Sequence, residues 1–179
     1  MRRRVLLVGY RDADGLDLFG PAEVFAEAVR QLRSPGYELV MSSVGGGAMM
    51  LTSGISVAAA DLTIIRPQPT DIVIVAGGAD EATEAAARDR ALLGWLSRAS
   101  RTVSRMSSVC DGAFVLASAG ILDGRRAATH WYSCERLARL HPKVQVDREA
   151  IFVRDGRVWT AAGVSTGIDM ALAMVEEDH

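Results

Sequence analysis

The stretch Met106-Ser107-Ser108-Val109-Cys110-Asp111-Gly112-Ala113-Phe114-Val115-Leu116-Ala117 decides how this chain folds. Met106 to Val109 has the length of a buried strand, and Ala113 to Ala117 is an apolar run that reads as a buried helix. Cys110, Asp111 and Gly112 make the handover between them. A strand that passes into a helix across so short a turn is the repeating unit of an α/β sheet, and ligands bind such sheets beyond the carboxyl ends of the strands. Cys110 stands at that end.

The same pattern recurs on the amino-terminal side. Val5-Leu6-Leu7-Val8-Gly9 is a continuous apolar run, as expected for a strand covered on both faces. A loop from Asp12 to Gly20 leads to Pro21, which sits where a first helical residue would. Val24, Phe25, Ala28, Val29 and Leu32 then recur at helical spacing, up to a stop near Ser34-Pro35-Gly36. Tyr37 to Val44 gives a second strand, followed by Gly45-Gly46-Gly47 and a short extended stretch around Ile55-Ser56-Val57. Asp71 to Val75 is the next strand and runs into Ala76-Gly77-Gly78, whose glycines let backbone N–H groups approach a ligand. One long helix is expected from Glu81 to Ala99, with Leu92, Leu93 and Leu96 inward.

On the carboxyl side, a strand near Ala127 to Thr129 is followed by a helix from about Tyr132 to Leu140. Asp155-Gly156 suits the two-residue loop of a hairpin, and the last helix, Thr166 to Glu176, is apolar nearly all round. Strands alternating with helices imply right-handed crossovers. The expectation is one α/β domain over residues 1–179: a flavodoxin-like, doubly wound, mostly parallel sheet with helices on both faces.

At 179 residues, such a domain buries a core without disulfides or metal. A net charge of −2 lacks the basic field that grips phosphate backbones, so DNA would be reached only through a domain absent from this chain. No window approaches the ~20 apolar residues of a membrane span. The apolar run after Arg2-Arg3-Arg4 is too short for a secretory core. Cys110 and Cys134 show no C-x-x-C spacing, which leaves a disulfide framework or a zinc site unsupported and points to a reducing, cytoplasmic compartment. No metal and no cofactor is called for.

The chemistry centres on Cys110. A thiol between a strand and a helix occupies a nucleophile elbow, where helix N–H groups favour its ionisation; the alternative is a small buried hydrophobe. Asp17, in Asp14-Gly15-Leu16-Asp17-Leu18, is either a second member of the site or a helix cap or solvated loop acid. The N–H groups of Gly77 and Gly78, with those of Asp111 and Gly112, are placed to hold a ligand or an oxyanion. His130 is either a general base for the thiol or a structural neighbour of Trp131. Cys134 reads as helix filling, His141-Pro142 as a surface turn, and Met49-Met50 and Met170 to Met174 as core.

Five segments, taken together, resemble the ThiJ/PfpI superfamily, also called class I glutamine amidotransferase-like. They are Leu16-Asp17-Leu18-Phe19-Gly20-Pro21, Val75-Ala76-Gly77-Gly78, Ser108-Val109-Cys110, Leu122 to Trp131 and Gly163-Val164-Ser165-Thr166-Gly167-Ile168-Asp169. Two branches resemble the chain most. One is isonitrile hydratase, which adds water to an isonitrile to give an N-substituted formamide. The other is the amino-terminal sensory domain of AraC-type transcriptional regulators, which precedes a helix-turn-helix domain.

For a hydratase the resemblance implies attack by Cys110 on the isonitrile carbon, with Asp17 as proton donor. Asp111 departs from the threonine of the hydratases and the histidine of the PfpI proteases. Its carboxylate disfavours the thiolate unless it is protonated or turned away to cap the helix. For a regulator the resemblance implies a homodimer whose domain senses a small-molecule ligand, or oxidation of Cys110, at a site formed by Cys110, Asp17 and the glycine loop. The chain ends at Val175-Glu176-Glu177-Asp178-His179, where both branches would continue, and is expected to be cut from a longer protein with a carboxyl-terminal DNA-binding domain.

Overall fold

The first strand, β1 (Arg3–Val8), alternates its side chains between two apolar layers, and this explains why its sequence reads as an unbroken apolar run. Leu6 and Val8 join one core cluster, and Val5 and Leu7 join the other. The computed structural model describes residues 2–31 and 36–179. After β1 come α1 (Gly15–Gln31), β2 (Tyr37–Ser43), β3 (Gly47–Met50), β4 (Ser56–Asp61), β5 (Ile72–Val75), α2 (Asp80–Ala86) and α3 (Arg90–Ala99). Then follow β6 (Arg105–Val109), α4 (Gly112–Ser118), β7 (Arg126–Ala127), α5 (Cys134–Leu140), β8 (Gln145–Val146), β9 (Phe152–Asp155), β10 (Val158–Ala161) and α6 (Val164–Asp178).

The main sheet runs β3-β4-β2-β1-β5-β6-β10-β9. From β4 to β10 every neighbouring pair is parallel, and the two edge strands are antiparallel hairpin partners. Trp95, Leu96 and Leu116 pack one face with Leu6, Val73 and Val75; Phe25, Met170 and Met174 pack the other with Val5, Leu7 and Ile74. This is the expected doubly wound, mostly parallel α/β sheet.

Several local expectations are corrected. α1 begins at Gly15 rather than Pro21, so the proline lies inside the helix and forgoes a ladder bond to the Asp17 carbonyl. Leu32 and the Ser34-Pro35 stop lie outside the described residues. The helix expected from Glu81 to Ala99 is two helices, because Asp89 accepts the N–H groups of Ala91 and Leu92 and starts α3 afresh. The strand near Ala127 is short and pairs with β8 in a separate ribbon. Trp131–Ser133 is a turn of 3₁₀ helix before α5. The glycine cluster hid β3: Gly45, Gly46 and Gly47 take φ of 77°, 63° and 85°, and the turn they make folds β3 back on β4.

α6 spans the site end of the sheet and the opposite end. Gly167 lies against Val109, where a β-carbon would come within 2.9 Å. Buried Arg105 holds the far end of the helix through bonds of 2.8 Å to Asp178 and 3.0 Å to Glu177, and Asp178 also accepts the Tyr37 hydroxyl at 2.8 Å.

Candidate functional site

Cys110 has φ of 54°, a conformation that costs an L residue on the order of 1–3 kcal/mol and persists only where its surroundings impose it. The constraints are visible. Its N–H donates to the Ala161 carbonyl at 3.0 Å, which ties the turn to β10. Its own carbonyl accepts the Thr129 hydroxyl at 3.1 Å and, weakly, the Ala113 N–H at 3.5 Å. Immediately after it, Gly112 lets α4 start hard against β5: a β-carbon there would lie 2.4 Å from the Val75 oxygen and 2.9 Å from that of Ala76.

Three strand ends meet at Gly77. A β-carbon on this glycine would sit 2.8 Å from the Asp111 nitrogen, 3.0 Å from Asp17 Oδ2 and 3.1 Å from Cys110 Cβ. Asp17 and Cys110, expected to gather with Gly77 at one edge, thus both lie against this glycine. Asp17 is fully buried in the first turn of α1 and is neither a helix cap nor a solvated loop acid. Its Oδ2 accepts the Gly77 N–H at 2.9 Å, while Oδ1 has no partner among the described residues. Burial pushes its pKa up to about 7; the Gly77 N–H pulls it back, and the charges of Asp14 and Asp111 push further up.

The Cys110 thiol is half-buried, and its pKa is also raised. Burial is the main cause, Asp17 and Asp111 add to it, the Asp111 N–H opposes it, and Asp14 contributes last. The expected easing of ionisation at a helix terminus is therefore corrected: α4 is short, and its one N–H does not outweigh desolvation and three acids.

Asp111 does not cap α4. Its backbone (φ −76°, ψ 1°) is not the extended form an N-cap needs, and its side chain makes no capping bond. The carboxyl turns instead to Thr129 Oγ1 at 3.2 Å and Ser133 Oγ at 2.9 Å. The N–H groups of Gly78 and Gly112 donate to no carbonyl among the described residues, whereas the Gly77 N–H is taken by Asp17 and the Asp111 N–H is directed at the Cys110 thiol.

Among the described residues no hydrogen bond joins the His130 ring to the Cys110 thiol. Its ring stands 5.6 Å from that of Trp131 and beside Gly163, and its charge bears on Asp111 rather than on Cys110. Sequence reasoning missed three contributors. Thr129 and Ser133 were legible only as flanks of His130-Trp131. Tyr10, just past β1, donates its hydroxyl to the Ala76 carbonyl at 3.1 Å and sits 3.1 Å from Thr83 Oγ1, backing the glycine loop.

Cys110 lines none of three concavities of the described residues. One of about 600 Å³ lies between the Gly9–Asp12 turn, β3 and the α2–α3 pair. A second of about 440 Å³ opens between α2, α4 and α5 and has Asp111 on its wall. The third, about 670 Å³, is an apolar trough between α1 and α6 lined by Leu16, Phe19, Val24, Ile168, Leu172 and Val175. Among the described residues no group of acids, histidines and cysteines is arranged to hold a metal.

Comparison with known proteins matches the DJ-1/PfpI family over residues 3–177. The HTH-type transcriptional regulator GlxA of Rhizobium meliloti is 35% identical over 86% of this chain, which covers 48% of that protein. Isonitrile hydratase of Pseudomonas putida is 32% identical over 90% of the chain and 66% of the enzyme. A ThiJ/PfpI family protein from Pseudomonas syringae superposes with a TM-score of 0.86 at 26% identity, covering 99% of this chain and 69% of that one. The chain thus spans about half the length of its regulator relative.

Proposed function

Because the chain belongs to the DJ-1/PfpI family, we propose that it is the sensory domain of an AraC-type transcriptional regulator, with Cys110, Asp17 and the N–H groups of Gly78 and Gly112 as the sensing site. The observation that carries this reading is the state of the thiol. It is fixed on a strained turn, yet burial and the neighbouring acids hold it protonated. A thiol kept protonated is poorly suited to turnover, and poorly suited to oxidation, which starts from the thiolate. It is well suited to lining a ligand site, so ligand sensing is favoured over redox sensing. Homology to GlxA supports the same role.

The DNA-binding domain would follow residue 179 and act from the cytoplasm; no helix of the described residues is long and apolar enough to cross a membrane. The reading frame beyond His179 tests this directly. A basic helix-turn-helix region in frame supports the regulator, and its absence from the mature protein overturns it.

We assign the α1–α6 trough to a second copy of the chain. Leu16 and Leu172 are 60% and 52% exposed there, and an apolar patch carried by every copy is self-complementary about a twofold axis.

One observation favours an isonitrile hydratase-like alternative. With a pKa near 7, Asp17 is matched to a general acid at neutral pH. Incubation with an aryl isonitrile decides it: formamide that disappears in Cys110→Ala establishes the enzyme, and no formamide from the parent removes it.

A further inference from the structure

The Asp111 carboxyl is buried, and among the described residues the bonds it makes come from two hydroxyls, Ser133 at Oδ2 and Thr129 at Oδ1. The second of these is over-subscribed. Thr129 Oγ1 lies 3.2 Å from Asp111 Oδ1 and 3.1 Å from the Cys110 carbonyl oxygen, but a hydroxyl carries one proton. Were Asp111 ionised, both oxygens would claim that proton. Either the buried carboxylate would keep a single neutral donor, or the Cys110 carbonyl would be left with the long Ala113 contact. Both outcomes leave a buried acceptor short.

One added proton satisfies every atom. Asp111 Oδ1–H donates to Thr129 Oγ1, the Thr129 hydroxyl donates to the Cys110 carbonyl, and the Ser133 hydroxyl donates to Asp111 Oδ2. The surrounding charges agree with this. From α2, Asp80 opposes ionisation. Arg136 on α5 is engaged with Asp80 and Glu84, and Arg88 with Glu84. On the other side stand the Cys110 thiol and the Asp17 carboxyl. Arg139 and His141 share the cleft that Asp111 walls but make no hydrogen bond to it among the described residues, and His130 is the nearby charge that favours the anion most.

We infer that Asp111 is carried as the neutral acid and serves as a positioning residue, clamping the strained Cys110 backbone through Thr129 while adding no negative charge beside the thiol. The Asp111 share of the thiol's upward shift then vanishes, and the share due to burial remains. The inference concerns the site proposed above but stands on proton counting, so it holds or falls whichever ligand or reaction Cys110 serves.

The test is infrared difference spectroscopy at neutral pH, Asp17→Asn minus the Asp17→Asn/Asp111→Asn double variant, so that the titrating Asp17 carboxyl contributes no band. A protonated-carboxyl C=O band that shifts in D2O is expected; bands of an ionised carboxylate overturn the inference. Asp111→Thr, which keeps a hydroxyl donor, supplies a second subtraction should the asparagine variant fold poorly. A functional readout accompanies it. The pH midpoint of Cys110 alkylation stays within about 0.3 unit in Asp111→Asn, whereas removal of a neighbouring charge would lower it by about one unit or more.

Discussion

Replacing Asp17 by Asn removes a titration that the fold makes expensive. In the folded chain this carboxyl has a pKa of about 7 against an ordinary 3.8, so folding favours its protonated form. The raised value means that Asp17 contributes fully below about pH 4, and its contribution is lost as pH rises towards and through 7. Each pKa unit corresponds to about 1.4 kcal/mol, so the whole loss is on the order of 4 kcal/mol, and about 2–3 kcal/mol of it falls between pH 5 and pH 8.

Asparagine has no charge to bury. Its oxygen can accept the Gly77 N–H as Oδ2 does, but its NH₂ inherits the place of the unpartnered Oδ1 and costs about 1–3 kcal/mol at every pH. The parent-minus-variant difference in stability is therefore expected to fall by about 2–3 kcal/mol between pH 5 and pH 8, with the variant matching or exceeding the parent at pH 8. Urea unfolding of both proteins at the two pH values measures this, because the remaining titrating groups are common to both. A parent-minus-variant difference that stays constant to within about 0.5 kcal/mol refutes the assignment of a raised pKa to Asp17.

Gly112→Ala drives a β-carbon into the Val75 and Ala76 carbonyls and is expected to cost about 3 kcal/mol or more. Gly94→Ala, in α3, where the nearest atom is the mobile Arg98 Nη1 at 3.5 Å, should gain about 0.5–1 kcal/mol; thermal melts of the pair test the contrast. Cys110 should react with iodoacetamide at pH 7.5 at least ~10-fold more slowly than a free cysteine peptide, read by mass spectrometry so that Cys134 is counted apart, and a peptide-like rate would contradict the raised thiol. Leu172→Lys, in the α1–α6 trough, is expected to turn a dimer into a monomer by light scattering at micromolar concentration with the melting temperature of the fold little changed; an unaltered mass places the interface elsewhere.

Most of the architecture was legible because the central strands bury both faces. Val5 to Val8 and Ile72 to Val75 read as unbroken apolar runs and became β1 and β5. Where the signal lay in a side chain acting on the backbone, it was missed. Asp89 divides a continuous helical pattern by capping, and Pro21 sits inside α1 because packing against α6 outweighs one lost ladder bond. The meeting of Asp17, Gly77 and Cys110 followed from topology alone: parallel neighbours in register, with Val8 beside Val75 and Val75 beside Ser108, must end together. The electrostatics did not follow. Helix-terminus reasoning predicts an easily ionised thiol, and only coordinates reveal that burial and acids reverse the sign.

That reversal sets what the site can do. β1, β5 and β6 each pass into a helix, and the three handovers converge on one point, so the carboxyl of the first and the thiol of the third are desolvated by the same walls. Burial raises both pKa values, and each negative charge makes the other costlier. The state with both groups protonated is accordingly the resting one towards lower pH, and near neutrality Asp17 is the group poised to change. Its unpartnered Oδ1 gives an arriving ligand the means to change it: a donor bonded there stabilises the anion, and an acceptor stabilises the acid. Under the proposed sensory role, a ligand that reaches Asp17 would shift the charge beside Cys110 without reacting with the thiol.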